Sequence, residues 1–277
     1  HLRTLRSLGF NRISFGVQDF DPKIQDVINR HQTFEQTIEV TSVARDLGFE
    51  SVNVDLIYGL PLQTEQSIQS TIQALTKLRP DRIAFYSYAN VPWKHPFQRR
   101  FKDEDLPTGL KKIQLYLLGR EILLDAGYAA IGMDHFALPT DELFQARTAG
   151  KLHRNFMGYT TQQDAQLLGF GISAISMLDG LYWQNVKTLP DYYQQINSLR
   201  IPVERGLALS ADDQVRRFVI MQLMCNFTLD FSELENRFGV KFRNYFLEPM
   251  KTLHAFEKMG LLKMQDEKLD VLPRGQL

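Results

Sequence analysis

Three places in this chain put a polar or ionisable side chain where a strand should end: Gln18, Asp55 and the run from Tyr86 to Asn90. An amide, a carboxylate and a turn of exposed backbone can each hydrogen-bond the hydroxyl, amino or carboxylate groups of a small ligand. Singly, each is an ordinary residue closing a strand. Together they point to a site, because in parallel βα architectures ligands gather at the carboxyl ends of the strands. A second set lies further on, with Asp134 beside His135, and His153 beside Arg154 with Tyr159 following. An arginine with such neighbours can grip carboxylates by bidentate, charge-assisted hydrogen bonds, although a histidine satisfied inside a polar loop is an equally simple reading of each pair. Gly169-Phe-Gly171-Ile-Ser-Ala174 fits the dinucleotide pattern G-x-G-x-x-A. It lies outside the regular βα units, so a tight turn, with or without a ligand beside it, is the preferred reading.

Other chemistries are disfavoured. The six histidines include no H-E-x-x-H and no metal-ligand spacing with cysteines, and G-x-S-x-G does not occur. Cys225 is the only cysteine, so no internal disulfide can form, which points to a reducing cytoplasm. With 277 residues, 44% hydrophobic and 23% charged, the composition is globular and excludes disorder and fibres. No apolar run reaches the length that spans a bilayer, and no leader is visible at the N-terminus. Lys and Arg number 32 against 32 Asp and Glu. A neutral chain has no long-range pull on nucleic acid or anionic membrane, so a small partner met by a local cluster of cations is expected.

The elements that must position these residues alternate between two periods, the signature of parallel βα units. Residues 1–9 read as the end of a helix, with Gly9 as its C-cap, and Asn11–Gln18 as a strand. Val40, Val43, Ala44 and Leu47 keep helical spacing up to Gly48. A strand over Ser51–Ile57 then alternates Val52, Val54 and Leu56 with Asn53 and Asp55 and closes at the turn Tyr58-Gly-Leu-Pro61. A helix carrying Ile68, Ile72, Leu75 and Leu78 stops before Pro80, and Arg82–Ser87 forms a third strand. The spacing then loosens through Pro92, Pro96 and Pro107, and one more helix carries Leu110, Ile113, Leu117 and Leu124. From Ser210 the order is helix, short helix, helix and a two-stranded wing over 261–264 and 268–272. That shape invites a DNA-binding reading, but residues 206–277 hold ten basic and ten acidic side chains, not the electropositive face a recognition helix needs.

Gly16-Val-Gln-Asp-Phe20, Asn29-Arg30, Val54-Asp-Leu-Ile-Tyr-Gly-Leu-Pro61, Gly132-Met-Asp-His-Phe-Ala137, Leu152-His-Arg-Asn-Phe156, Gly158-Tyr-Thr-Thr161 and Gly171-Ile-Ser-Ala-Ile-Ser176 together resemble oxygen-independent coproporphyrinogen III oxidase, also called coproporphyrinogen dehydrogenase. This family belongs to the radical S-adenosylmethionine superfamily. The likeness runs in register from Gly9 to about Gly260. The segments 132–137 and 153–161 set the chain apart from the related haem chaperones, which share the Asp55 to Pro61 motif; a non-catalytic haem-binding chaperone is the alternative reading.

The resemblance implies an α/β fold: the second half of a partial (βα)6 TIM-like barrel over residues 1–100, an elaborated substrate- and cofactor-facing region over 101–205, and a helical winged-helix-like module over 206–277. It implies a 4Fe-4S cluster, two S-adenosylmethionine molecules, and a 5′-deoxyadenosyl radical that attacks two propionates of coproporphyrinogen III to give protoporphyrinogen IX. An electron donor and an acceptor, neither identified, and a monomer at full length in the cytoplasm complete what it implies. Carried over by position, Gln18, Arg30, Asp55 and Ala89 match residues contacting one S-adenosylmethionine, and Ile175 one packing on the other. Beside these, His135 and Arg154 are candidates for gripping the substrate's propionates. No catalytic residue and no metal ligand is assigned. The family's three-cysteine C-x-x-x-C-x-x-C loop, its glycine-rich segment and its third-strand glutamate have no counterpart here. The expectation is therefore an N-terminally truncated chain, starting in the helix before the fourth barrel strand, that neither assembles the cluster nor turns over alone.

Overall fold

In a computed structural model, which describes residues 1–94, 96–162 and 166–276, the chain divides into two compact units, 1–145 and 146–277. The first runs α1 (Leu2–Ser7), β1 (Arg12–Gln18), α2 (Pro22–Ile28), α3 (Phe34–Asp46), β2 (Ser51–Tyr58), α4 (Glu65–Leu78), β3 (Arg82–Ser87), α5 (Gly109–Asp125), β4 (Ala129–Gly132), β5 (His135–Ala137) and α6 (Glu142–Thr148), the last crossing into the second unit. Its sheet has the order β1-β2-β3-β5-β4; the first three strands are parallel, and β5 and β4 add antiparallel.

Each crossover helix carries its own start signal. Thr33 and Thr64 form capping boxes with Gln36 and Ser67, satisfying amide groups that the first helical turn leaves unpaired. Arg79, left-handed at φ 47°, ends α4 before Pro80. Strand alternation does the rest. Val17, Val54, Leu56, Ile83, Phe85 and Phe136 point to one face and are buried with Ile68, Ile72 and Leu75 of α4 and Leu115 and Leu123 of α5. Gly119 lets α5 approach closely; a Cβ there would lie 2.5 Å from the Phe85 ring. The opposite face receives Ser14, Asn53, Asp55, Arg82 and His135. One face is thus core and the other a polar floor.

The sequence reading of three strands and their helices agrees with β1 to β3, α3 and α4, and Arg82–Ser87 is β3 without change of limits. The helix after Asp21, Pro22–Ile28, was not anticipated, nor were the short β4 and β5.

The second unit comprises a hairpin of β6 (His153–Asn155) and β7 (Gly158–Thr160), an antiparallel sheet of β8 (Ile175–Leu178), β9 (Leu181–Asn185) and β10 (Val203–Ala208), and α7 (Leu189–Asn197) between β9 and β10. The tail follows as α8 (Ala211–Asn226), β11 (Thr228–Asp230), α9 (Phe231–Phe238), α10 (Phe242–Tyr245), α11 (Leu247–Lys258), β12 (Leu262–Met264) and β13 (Lys268–Val271). The expected wing is present, widened to three strands because β11 pairs with β13. Leu229, Phe231, Leu234, Phe242, Leu262 and Leu269 form its core. Gly169 to Ala174 is an irregular turn leading into β8, not a strand-to-helix phosphate loop.

Candidate functional site

Strand register, more than any single residue, builds the site. Gly16 pairs with Asp55, Asp55 with Ala84, Ala84 with His135, and His135 with Gly132, so one level of the sheet crosses all five strands. Residues in direct register share a face. Asp55 and His135 therefore project to the same polar side with only the small Ala84 between them.

Asp55 accepts hydrogen bonds from Asn53 Nδ2 at 2.7 Å and Ser14 Oγ at 3.2 Å. Burial pushes its carboxyl above the ordinary carboxylate range, against the pull of those two donors and of His135 and Arg30. A carboxylate held partly desolvated is primed for a ligand that brings positive charge or hydrogen-bond donors. His135 is buried, with Nδ1 2.7 Å from Asp134 Oδ1, and its ring meets Tyr86 edge-on at 5.7 Å.

At the end of β1 the register slips after Gly16, and Gln18 takes a left-handed φ of 69°. The slip turns Gln18 back over Gly16, where a Cβ would lie 2.5 Å from its Nε2 and 3.0 Å from Arg30 Nη2. Arg30 donates from Nη2 to Gly16 O at 2.5 Å. It is presented by Asn29, which ends α2 in the left-handed region, while Asp21 caps the helix start. Gln18, Arg30 and Asp55 are thus brought together around one glycine.

The turn below them is fixed by residues that sequence reasoning passed over. Asp19 is fully buried and accepts from Thr71 Oγ1 at 2.6 Å, Gln63 Nε2 at 2.7 Å and Asp21 N at 2.8 Å. Burial raises its pKa against those donors. Gln63 also accepts from Gly59 N at 2.6 Å, tying the Tyr58–Pro61 turn to β1. Arg82 was likewise missed; it is nearly buried and pairs with Asp141 at 2.9 Å and Glu142 at 2.8 Å. The sequence signal for it was a charged residue on the same alternating face as Asp55.

Ala89 is exposed beyond β3, and its carbonyl accepts from Gln98 Nε2 at 3.1 Å. Its neighbour Asn90 has a buried Oδ1 without a partner among the described residues. Ile175 and Arg154 belong to the second unit. Ile175 opens β8, half-buried, and Arg154 lies opposite Tyr159 in the hairpin with its guanidinium 5.5 Å over the phenol ring. Among the described residues no group of three or more His, Cys, Asp or Glu could hold a metal. Cys225 is buried, and desolvation pushes its thiol up to about 11.

Residues 1–75 match the family model of the radical SAM superfamily, and residues 209–277 that of the HemN C-terminal domain. The chain is 46% identical over 273 residues to an oxygen-independent coproporphyrinogen III oxidase of Salmonella typhimurium, covering 99% of this chain and 60% of that protein. It is 45% identical to one of Thermostichus vulcanus, covering 98% of this chain and 84% of the relative. A solved structure described as "Coproporphyrinogen III oxidase (HemN) from Escherichia coli is a Radical SAM enzyme" superposes with a TM-score of 0.94 at 45% identity, covering 100% of this chain and 64% of that one. The chain thus spans about 60% of the length of several of its curated relatives.

Proposed function

Because the chain belongs to the oxygen-independent coproporphyrinogen III oxidase family of radical S-adenosylmethionine enzymes, we propose that it serves the oxidative decarboxylation of coproporphyrinogen III to protoporphyrinogen IX. In each of two propionates a hydrogen atom leaves the β-carbon, carbon dioxide departs, and one electron passes to an acceptor, leaving a vinyl group. The observation that carries this reading is the row Gly16–Asp55–Ala84–His135 with Gln18 and Arg30 folded over its end.

S-adenosylmethionine fits these residues. The Gln18 amide and the Arg30 guanidinium crowd the place where a Cβ on Gly16 would lie, so a donor, a cation and the Asp55 carboxylate stand side by side, and Asn90 Oδ1 is a buried acceptor without a partner among the described residues. When bound and reduced, that molecule supplies the hydrogen-abstracting 5′-deoxyadenosyl radical. The chain's own residues bind and orient it: Asp55 takes hydroxyl or cationic groups, Arg30 the carboxylate, Gln18 an amide-compatible edge and Ala89 a backbone contact. Ile175 offers an apolar surface to a second S-adenosylmethionine. For the propionates the proposed partners are His135 and, separately, Arg154.

A thiolate-held 4Fe-4S cluster does not fit these residues. A single buried cysteine with a raised pKa is not the trio of thiolates such a cluster wants. These 277 residues alone are therefore expected to remain without turnover. About four irons per chain after anaerobic reconstitution would contradict that. No helix of the described residues is long and apolar enough to cross a membrane. A cytoplasmic monomer at full length, served by an electron donor and an acceptor, completes the proposal.

The test is a chimera in which this chain replaces the matching segment of the Escherichia coli relative. Given coproporphyrinogen III, S-adenosylmethionine and a reductant without oxygen, it should release carbon dioxide and form protoporphyrinogen IX. A chimera with a full cluster that binds S-adenosylmethionine and yields no product would overturn the reading.

A further inference from the structure

The second unit holds a cleft of about 620 Å³ that the proposed S-adenosylmethionine residues leave unused. One wall is a single face of α8, where Gln214, Arg217, Phe218 and Met221 recur at the spacing of successive helical turns. The end of α9 adds Arg237 and Phe238, and β8 faces them with Met177.

Two guanidinium groups in this cleft lie on aromatic rings. Arg237 rests 5.4 Å over Phe218 and 5.6 Å over Phe238, and Arg217 lies 5.8 Å over Tyr182. Stacking fixes the plane of a guanidinium and leaves the N–H edge for a planar oxyanion. Among the described residues neither arginine has a carboxylate partner. Arg217 donates only to the Met177 thioether, at 3.3 Å, a weak acceptor. One carboxylate, Asp179, reaches the cleft, and it is engaged by Gln166 Nε2 at 3.0 Å. Two guanidinium charges thus stand against one carboxylate in a lining that is more polar than apolar, with His153 and Gln222 among its polar groups and Met177, Phe218, Met221 and Phe238 as its apolar part.

We propose that this cleft binds a carboxylate carried on a flat apolar body and, resting on the functional reading above, that its occupant is one propionate-bearing pyrrole of coproporphyrinogen. The volume lies within the range of about 300–1,000 Å³ that ligand pockets occupy, enough for one ring and its arm. The apolar part of the lining, Met177 and Met221 with the phenylalanine surface that Arg237 leaves uncovered, takes the ring. Arg217 and Arg237 take the propionate by forked N–H donation, and Gln214 can add an amide donor at the rim. No bond is made or broken there; the cleft holds the macrocycle.

The test is fluorescence titration of the 277-residue chain with coproporphyrin III, the air-stable macrocycle bearing the same propionates, and with its tetramethyl ester. The chain should bind the acid and not the ester. Arg217→Gln and Arg237→Gln should each weaken binding about ten- to hundredfold, the scale of a lost charged hydrogen bond, with Arg217→Lys between them and the parent. Arg237 is exposed and Arg217 only half-buried, so circular dichroism should show all three variants folded. If the variants bind the acid within twofold of the parent, the cleft proposal falls and the functional reading stands. Arg217-dependent binding of inorganic phosphate without binding of coproporphyrin III would assign the cleft to a phosphate ligand and overturn the proposal. Binding of neither overturns it too, while turnover by the chimera judges the functional reading separately.

Discussion

Gly16→Ala should disable the site without disturbing the fold. The added Cβ would meet Gln18 Nε2 at 2.5 Å and Arg30 Nη2 at 3.0 Å, both ends of flexible side chains, so these swing away and the strand stays. Gly16 is not in the left-handed region, and alanine can take its backbone conformation. The fold loses the Arg30 to Gly16 O hydrogen bond, a cost of about 1 kcal/mol. A less flexible unfolded chain offsets it by about 0.4–1 kcal/mol. The melting temperature should therefore move by no more than about 2–4 °C. Ligand binding loses one neutral hydrogen bond, about 1 kcal/mol, and one charge-assisted bond, about 1.5–3 kcal/mol. Together these weaken S-adenosylmethionine about 50- to 1,000-fold. Equilibrium dialysis of labelled S-adenosylmethionine against the chimera, with and without the substitution, gives the ratio. An affinity within twofold of the parent would show that Gln18 and Arg30 do not hold the ligand. A melting point lowered by 10 °C or more would show that the strand had moved instead.

Three further outcomes follow from the same geometry. Burial raises the Asp55 pKa, so the folded state holds that proton more tightly than the unfolded chain, and ionisation costs stability as pH rises past the ordinary value of 3.8. Asp55→Asn should then be as stable as the parent in acid and equal or more stable at pH 7, while losing S-adenosylmethionine binding; urea melts at both pH values check the sign. Arg82→Met strands the buried Asp141 carboxylate and should cost about 3–5 kcal/mol, with Arg82→Met/Asp141→Leu recovering much of it in denaturant titrations. Gly119→Ala drives a methyl into Phe85 and Ile72 and should cost about 1–3 kcal/mol by overpacking, measured in the same way.

Much of the first unit was legible because alternation is a local signal. Val52, Val54 and Leu56 against Asn53 and Asp55 give both the strand and the face on which Asp55 stands. The stops at Gly48 and Pro80 delimit the crossover helices, and the three strand ends mark one side of the sheet. What escaped depends on contacts that spacing does not encode. Asp19 reads as a loop residue until Gln63, 44 positions on, and Thr71, 52 positions on, close around it. The positions β4 and β5 take beside β3 come from pairing register, because strands of four and three residues are too short to show a period. Gln18 was picked out for its place at a strand end, but its left-handed turn over Gly16 is a property of the bulge. In the tail, the winged order of helices was visible, whereas the union of α8, α9 and β8 around Arg217 and Arg237 exists only in three dimensions.

The most direct measurement is a crystal structure of the chain or its chimera soaked with S-adenosylmethionine. The ligand should lie at the carboxyl ends of β1, β2 and β3, with Asp55 and Gln18 within hydrogen-bond distance and its carboxylate on Arg30. Well-ordered ligand anywhere else, with that polar floor left to water, would contradict the assignment of the row Gly16–Asp55–Ala84–His135 as the binding surface.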